Sequence, residues 1–173
     1  MSNEKNFLAL DRKNQYLWLK DNSSVLYVST KQINEIRILQ TMNKLFNIYI
    51  KINLNYKMED HLIEVKKTAT AAKKFVEDFV KEIQKEEYIK NLKGTIYIKK
   101  KFIMGFGVIG TDLVAMIVNS SVPIILASYD SEESATCGLL HFIDTGNFKT
   151  EKIKLDTTSI NALGLLMEEI SQK

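Results

Sequence analysis

The stretch Ile48-Tyr-Ile-Lys-Ile-Asn-Leu-Asn-Tyr56 alternates apolar positions with lysine, asparagine and one further tyrosine. A period of two places successive side chains on opposite faces of a β-strand, so this segment predicts a strand with one buried face. Upstream, two short β-branched and aromatic runs, Tyr16 to Lys20 and Val25 to Ser29, flank the polar turn Asp21-Asn-Ser-Ser24. They predict a hairpin, so the N-terminal half contributes to a sheet.

Two helices are predicted around this strand. The first runs from about Lys31 to Leu45, with Thr30 as its cap. After Asp60 the apolar residues recur at steps of three and four, which predicts a long amphipathic helix of about residues 60–92 that stops at Gly94.

The second half of the chain has a different composition. All seven glycines and the single proline lie after residue 93, which concentrates tight turns there. Short apolar runs predict four strands, followed by a C-terminal helix of about residues 158–171. The predicted strands are Thr95 to Met104, Leu113 to Val118, Pro123 to Ser128 and Thr136 to Ile143.

These elements predict an α/β (α+β) fold. Its centre is a mostly antiparallel sheet or β-sandwich, on which the helices of about residues 60–92 and 158–171 pack. A chain of 173 residues with 45% hydrophobic content is expected to form a single domain, residues 1–173, with a helix and hairpin half (1–93) and a β-rich half (94–173). No internal repeat is evident from the sequence.

Composition narrows the classes of function. The 24 basic residues are interleaved with 21 acidic ones and leave a net charge of +3, so we expect no nucleic-acid partner. Lys99-Lys100-Lys101 is predicted to be a solvated strand end. No apolar run is long enough to span a bilayer, which predicts a soluble, cytoplasmic protein with no membrane partner. With one cysteine and two histidines, neither a disulfide, a metal nor another cofactor is expected.

A serine and a histidine are the first candidates for chemistry. Ser121 begins one predicted strand and His141 lies on the next, so antiparallel pairing could bring a nucleophile and a base together. Backbone amides at Asn119 and Ser120 could then form an oxyanion hole. The plain alternatives are that the serines only connect two strands and that His141 is a structural residue.

Other candidates are weaker. Cys137 is an alternative nucleophile, but within one strand its Cα would lie about 13 Å from that of His141, and a buried small hydrophobe is the competing interpretation. Gly105-Phe-Gly-Val-Ile-Gly110 fits a dinucleotide fingerprint literally, yet a predicted strand follows it where a helix is required. Asp112 is either a buried acid or a solvated turn residue, and His61 is expected on the surface.

At these residues the sequence resembles the Cys-His deamidases, which include the catalytic domains of cytotoxic necrotizing factors and the chemotaxis-receptor glutamine deamidases. The resemblance covers about residues 108–170. Asn119-Ser-Ser121 occupies the family's nucleophile turn, Pro123-Ile-Ile-Leu-Ala127 the following strand, and Gly138-Leu-Leu-His-Phe142 the histidine strand. The departure is Ser121, which stands where the family has a cysteine.

The resemblance implies a glutamine deamidase that acts on a partner protein and needs no cofactor. It further implies a bacterial effector or toxin, delivered into a host cytosol by a secretion system. Ser121 would attack the carboxamide, His141 would transfer the proton and Thr111 would orient His141, although a serine is harder to activate than a thiol. Two hypotheses remain beside it: a thiol enzyme that uses Cys137, and a non-catalytic module that binds a partner through the helix of residues 60–92 or a sheet edge.

Overall fold

A computed structural model describes residues 7–10, 16–21, 24–54, 57–83 and 87–149. Within these ranges the chain is mostly antiparallel β-structure with two helices, which agrees with the predicted α+β class. The strands are β1 (Phe7–Leu10), β2 (Tyr16–Asp21), β3 (Ser24–Ser29), β4 (Ile33–Gln40), β5 (Phe46–Leu54), β6 (Lys57–Lys66), β7 (Tyr88–Lys90), β8 (Ile96–Lys99), β9 (Ile103–Ile109), β10 (Asp112–Ile117) and β11 (Ile124–Ser128), and the helices are α1 (Ala69–Ile83) and α2 (Glu132–Thr145).

The strands form three antiparallel sheets in the described part of the chain. Their orders are β1-β2-β3, β6-β5-β4-β8-β7 and β11-β10-β9. The predicted hairpin is confirmed as β2 and β3, which pair from Tyr16–Ser29 to Asp21–Ser24. The alternating segment that begins at Ile48 is confirmed as β5, which lies between β4 and β6.

The predicted helix of residues 31–45 is wrong. Thr30–Gln32 form a single 3₁₀ turn, which we call the first corner, and β4 follows it directly. Ile36 and Ile38 alternate with Glu35 and Arg37, and this period of two suits a strand that is paired on both sides. The spacings that suggested a helix combined isoleucines of β4 with Met42 and Leu45, which lie in the turn between β4 and β5.

The predicted helix of residues 60–92 is also wrong in length. Its first residues form β6, α1 covers Ala69–Ile83, and β7 follows. Thr68 ends the strand pattern by capping α1, since its hydroxyl accepts a hydrogen bond from the Ala71 amide at 3.1 Å. His61, predicted to lie on the surface, is buried in β6 because its side chain faces the core side of the sheet.

The predicted strand Thr136 to Ile143 is wrong, because these residues belong to α2. Ser131 caps this helix by accepting a hydrogen bond from the Ser134 amide, and Gly146, at φ 72°, ends it by donating an amide hydrogen bond to the Phe142 carbonyl. Capping at both ends outweighs the apolar run that suggested a strand. The predicted C-terminal helix of residues 158–171 lies outside the described residues.

The predicted strand Thr95 to Met104 is divided into β8 and β9 by a 3₁₀ turn at Lys100–Phe102, which we call the second corner. Lys99 is not solvated as predicted but buried. Its ammonium donates to the Lys31 carbonyl at 3.1 Å and lies 3.4 Å from a Glu87 carboxylate oxygen. Burial lowers the pKa of Lys99 in spite of this pairing. The following predicted strands are confirmed as β10 and β11.

The order of elements is repeated along the chain. A hairpin, a 3₁₀ corner, a three-stranded meander and a helix occur as β2–β3, the first corner, β4–β5–β6 and α1, and again as β7–β8, the second corner, β9–β10–β11 and α2. We call these series the first and second units. The residues that flank the two corners have similar φ and ψ angles. Each corner ends with an isoleucine, Ile33 or Ile103, whose amide donates a hydrogen bond to the first carbonyl of the turn.

Sequence and register support the repeat. Tyr27-Val-Ser-Thr-Lys-Gln-Ile33 aligns without a gap with Tyr97-Ile-Lys-Lys-Lys-Phe-Ile103. One residue after each isoleucine, a bulge interrupts the meander, at Asn34 in β4 and at Met104 in β9. The two halves of the described chain therefore repeat the same order of elements, corners and bulges, and the prediction of no internal repeat is wrong.

Strand β8 joins two hydrophobic cores. Tyr97 belongs to the core under α1, while Ile98, on the opposite face, belongs to the core under α2. Because β8 pairs with β4, the hairpin of the second unit completes the sheet of the first. No helix in the ranges described is long and apolar enough to cross a membrane.

Burial in the first core makes Tyr97 responsive to alkaline pH. Desolvation, with a smaller contribution from the Glu77 carboxylate, raises the pKa of Tyr97 to about 12. Tyrosine in the unfolded chain ionises near ~10, so above that pH the unfolded state loses a proton that the folded state keeps. We expect the free energy of unfolding to fall by up to about 2 kcal/mol as the pH rises from 10 to 12. Urea titrations over this pH range should show that the free energy of unfolding falls less steeply with pH in Tyr97→Phe than in the wild type. Equal pH dependence in the two proteins would contradict the assignment of this effect to Tyr97.

Candidate binding site at the open edge of strand β9

The structure places the predicted nucleophile and base on different kinds of element. Ser121 is exposed in the loop between β10 and β11, two residues after Asn119, whose φ is 61°. Ser120 uses its hydroxyl within the same loop, donating to the Val122 carbonyl at 3.0 Å and accepting from its amide. His141 lies half-buried on α2. The pair of adjacent strands that was to bring Ser121 and His141 together is therefore absent from the described fold.

The remaining predicted residues are also accounted for. Thr111 lies in the turn between β9 and β10, where its carbonyl accepts a hydrogen bond from the Tyr129 amide at 2.9 Å. Cys137 lies on α2, one helical turn before His141. The separation expected along a strand does not apply, because residues four apart on a helix are neighbours. The catalytic roles of these residues, and of Cys137 as an alternative nucleophile, stay predictions.

A groove of about 800 Å³ lies beside the β10–β11 loop. Asn119 and Ser120 line it, whereas Ser121 and His141 do not. Its opposite wall is the outer face of β4 and β5, where the Glu35 carboxylate is paired with Arg37 and lies 3.7 Å from the Lys51 ammonium. The acid is thus neutralised by two bases within its own sheet, so the groove presents no free charge from Glu35 to a ligand.

The second unit contains a more informative feature, an open strand edge. In the described fold β9 pairs with β10 and with no strand on its other side. Ile109 and Asp112 pair across the turn, and the alternation of an antiparallel ladder then directs the amides of Phe106 and Val108 away from β10. These amides face the open edge.

The equivalent edge in the first unit is filled. Strand β8 lies along β4, pairing Ile36 with Tyr97 and Arg37 with Ile96, and the Ile38 amide donates to the Thr95 carbonyl at 2.7 Å. In the repeat, Ile36 corresponds to Phe106 and Ile38 to Val108. The open edge of β9 therefore has the same strand direction and hydrogen-bonding pattern as the edge of β4, which in the first unit pairs with β8.

Side chains near this edge are exposed where their counterparts are buried. The two helices match at Ala72 and Ala135 and at Phe79 and Phe142, so that Val80 corresponds to Ile143. Val80 is 1% exposed beside the hairpin β7–β8, whereas Ile143 is 64% exposed. A cleft of about 660 Å³ opens here, and Phe106, Phe142 and Ile143 form one of its walls. The other wall is formed by α1 and the β7–β8 hairpin and includes the charged residues Glu77, Lys81 and Lys90. The second unit thus presents an apolar surface to this recess at the position where the first unit receives a hairpin.

Comparison with known proteins gives one structural similarity and no family. No family model matches the chain, and no curated protein matches it. Among solved structures, the LytTr DNA-binding domain of a methyl-accepting/DNA response regulator from Bacillus cereus is similar, with a TM-score of 0.42 and 10% identity. The match covers 76% of this chain and 97% of that one. At this TM-score the likeness does not extend to function.

Two predictions are corrected by these findings. The deamidase resemblance is wrong, and with it the glutamine deamidase, toxin and protein-substrate predictions: the segment that resembled the family's histidine strand is helix α2, and none of the comparisons returned a deamidase. The prediction of no nucleic-acid partner, made from net charge, is contradicted by the same comparison, which returned a DNA-binding domain; the comparison assigns no such partner to this chain.

The sequence analysis did not predict that the residues of the open edge form a binding site. Phe106 and Val108 were assigned to an ordinary strand, and Ile143 to a strand that is a helix. The signal that could have found them is the alignment of Tyr27 to Ile33 with Tyr97 to Ile103. It identifies β4 and β9 as equivalent strands before any partner is known.

Proposed function

We propose that the chain is a non-catalytic binding module that recognises an extended polypeptide by adding it as a strand to the open edge of β9. The observation that supports this proposal is the internal pair of edges: β8 fills the edge of β4, and the equivalent edge of β9 is unfilled among the described strands. Strand addition derives its affinity from main-chain hydrogen bonds and its specificity from pockets for alternate side chains. The amides of Phe106 and Val108 and the apolar surface beside Ile143 supply these two components.

A peptide that copies β8 is the direct probe. We expect a labelled Gly94-Thr-Ile-Tyr-Ile-Lys-Lys-Lys101 peptide to bind the full chain, because β9 offers it nearly the same edge as β4. Val108→Pro removes the amide that corresponds to that of Ile38 and should weaken binding about tenfold, the effect of losing one hydrogen bond at the upper end of the usual range. Fluorescence anisotropy measures both affinities.

Matched controls separate the edge from other surfaces. Val108→Thr keeps the amide and should bind like the wild type, and a peptide of scrambled sequence should bind more weakly. Equal binding by wild type and Val108→Pro would contradict the proposal. A labelled DNA duplex is titrated in parallel, and saturable DNA binding together with no peptide binding would replace strand addition by a nucleic-acid function.

A further inference from the structure

We infer that the strand received by β9 is β3 of a second copy of this chain, so that copies associate head to tail. This inference rests on the proposed function of the β9 edge and names its partner. We call β3 with Tyr16 and Tyr27 the head face, and the open edge of β9 with Phe106, Val108 and Ile143 the tail face.

The repeat identifies the head face as the complement of the tail face. Strand β3 corresponds to β8, the strand that fills the edge of β4. Among the described strands β3 pairs with β2 alone, as β8 would pair with β7 alone if the first unit were removed. The counterpart of the strand that fills this kind of edge within the chain thus lies at the opposite end of the same chain, with its own outer edge unfilled among the described strands.

A difference in burial between two equivalent tyrosine pairs supports this complementarity. Tyr88 and Tyr97, on the hairpin that docks against the first unit, are 8% and 6% exposed. Their counterparts Tyr16 and Tyr27, at the same positions in the β2–β3 hairpin, are 37% and 49% exposed and stack on each other with ring centroids 4.6 Å apart. Aromatic side chains of this size are typical anchors in the centre of interfaces. Docking on a tail face would bury them as the first unit buries Tyr88 and Tyr97.

The register follows from the pairing inside the chain. Within the chain Ile36 pairs with Tyr97, so at the contact between copies Phe106 would pair with Tyr27 of the second copy. The Ile38 amide donates to the Thr95 carbonyl, so the Val108 amide would donate to the Val25 carbonyl of the second copy. The Tyr88 hydroxyl donates to the Ile33 carbonyl at 3.0 Å, so the Tyr16 hydroxyl would donate to the Ile103 carbonyl. Head and tail are different surfaces, so the contact is heterologous and continues into a ring or a filament.

Sedimentation of the full chain tests this arrangement. We expect the wild type to form species larger than a monomer that dissociate on dilution. Tyr16→Lys, which damages only the head, should be monomeric, and so should Val108→Pro and Ile143→Lys, which damage only the tail. Ile143→Lys leaves the backbone of β9 intact and covers the case in which the proline variant does not fold. Met42→Lys, at a fully exposed residue of the turn between β4 and β5, should assemble like the wild type.

Mixing gives the decisive result. A head variant and a tail variant each retain one intact face, so an equimolar mixture should form a 1:1 complex although neither forms one alone. Hydrogen exchange on the assembled wild type should show the amides of Phe106 and Val108 slowed at least tenfold relative to the diluted monomer. Gly105 and Gly107, whose amides face β10, should change little.

Four outcomes would overturn the inference. A wild type that stays monomeric up to about 1 mM while the β8-copy peptide still binds would leave the proposed function intact and exclude self-association. Slow exchange of Phe106 and Val108 in the monomer would show that another segment of the same chain fills the edge. Assembly of the head variant equal to that of the wild type would show that a different surface is used. Failure of both peptide binding and assembly would reject the proposed function as well.

Discussion

Replacing Ile38 by proline is expected to lower the free energy of unfolding by about 3 kcal/mol or more, whereas the same change at Val108 should cost about 1 kcal/mol or less. The two residues occupy equivalent positions in β4 and β9. The Ile38 amide donates across the sheet to Thr95 at 2.7 Å, and proline would remove this donor from a strand paired on both sides. The Val108 amide faces the open edge, where a proline is tolerated.

Alanine controls make the proline comparison specific. Ile38 is buried in the first core and Val108 is half-buried, so each proline variant is compared with the alanine variant at the same site, which removes the side-chain contribution. Chemical denaturation at low protein concentration gives the four free energies of unfolding. Equal proline effects at the two sites, after this subtraction, would mean that the edge of β9 is filled in the monomer.

Truncating Tyr88 should destabilise the protein far more than truncating its counterpart Tyr16. Tyr88→Ala is expected to cost about 3–5 kcal/mol, as for other large aromatic residues in a core, because the ring is buried and the hydroxyl donates to the Ile33 carbonyl. Tyr16→Ala should cost about 1 kcal/mol or less in dilute protein, since the ring is exposed and packs on Tyr27.

Concentration dependence distinguishes the two tyrosines further. Association stabilises only the folded state and raises apparent stability with protein concentration. The wild type should therefore gain stability as its concentration rises, and Tyr16→Ala should gain less, while Tyr88→Ala should retain the dependence of the wild type once its lower baseline is subtracted. Thermal denaturation over a range of concentrations measures these differences. A Tyr16→Ala cost as large as that of Tyr88→Ala in dilute protein would show that the two hairpins are not equivalent.

Local patterns in the sequence predicted several strands correctly. The hairpin at Tyr16 to Ser29 and the strand that begins at Ile48 follow from alternation and turn residues, which are properties of neighbouring positions. The failures occurred where two elements were combined. Residues 60–92 form a strand, a helix and another strand, and their apolar residues can be fitted to one helical period only when the boundary at Thr68 is overlooked.

The candidate site was less predictable than the fold, for a physical reason. Equivalent positions in the two units have different surroundings and therefore different residues: Arg37 pairs with Glu35 between two strands, while its counterpart Gly107 lies on an open edge. Likewise Ser29 corresponds to Lys99, which is buried against the first corner. Because equivalent positions carry such different residues, the repeat is not evident from the composition or the hydrophobic periodicity of the sequence. Without the repeat, attention falls on Ser121 and His141, which are conspicuous chemically but lie on elements that do not pair.

The placement of β8 between two cores affects how the chain could be divided. A cut between α1 and β7 would leave the first unit without the strand that completes its sheet, and the second would carry Tyr88 and Tyr97 uncovered into water. Neither fragment should be obtainable as a stable protein by limited proteolysis. By the same geometry, the addition of one more complete unit after α2 would require no new kind of interface, so chains of this architecture can lengthen in whole steps.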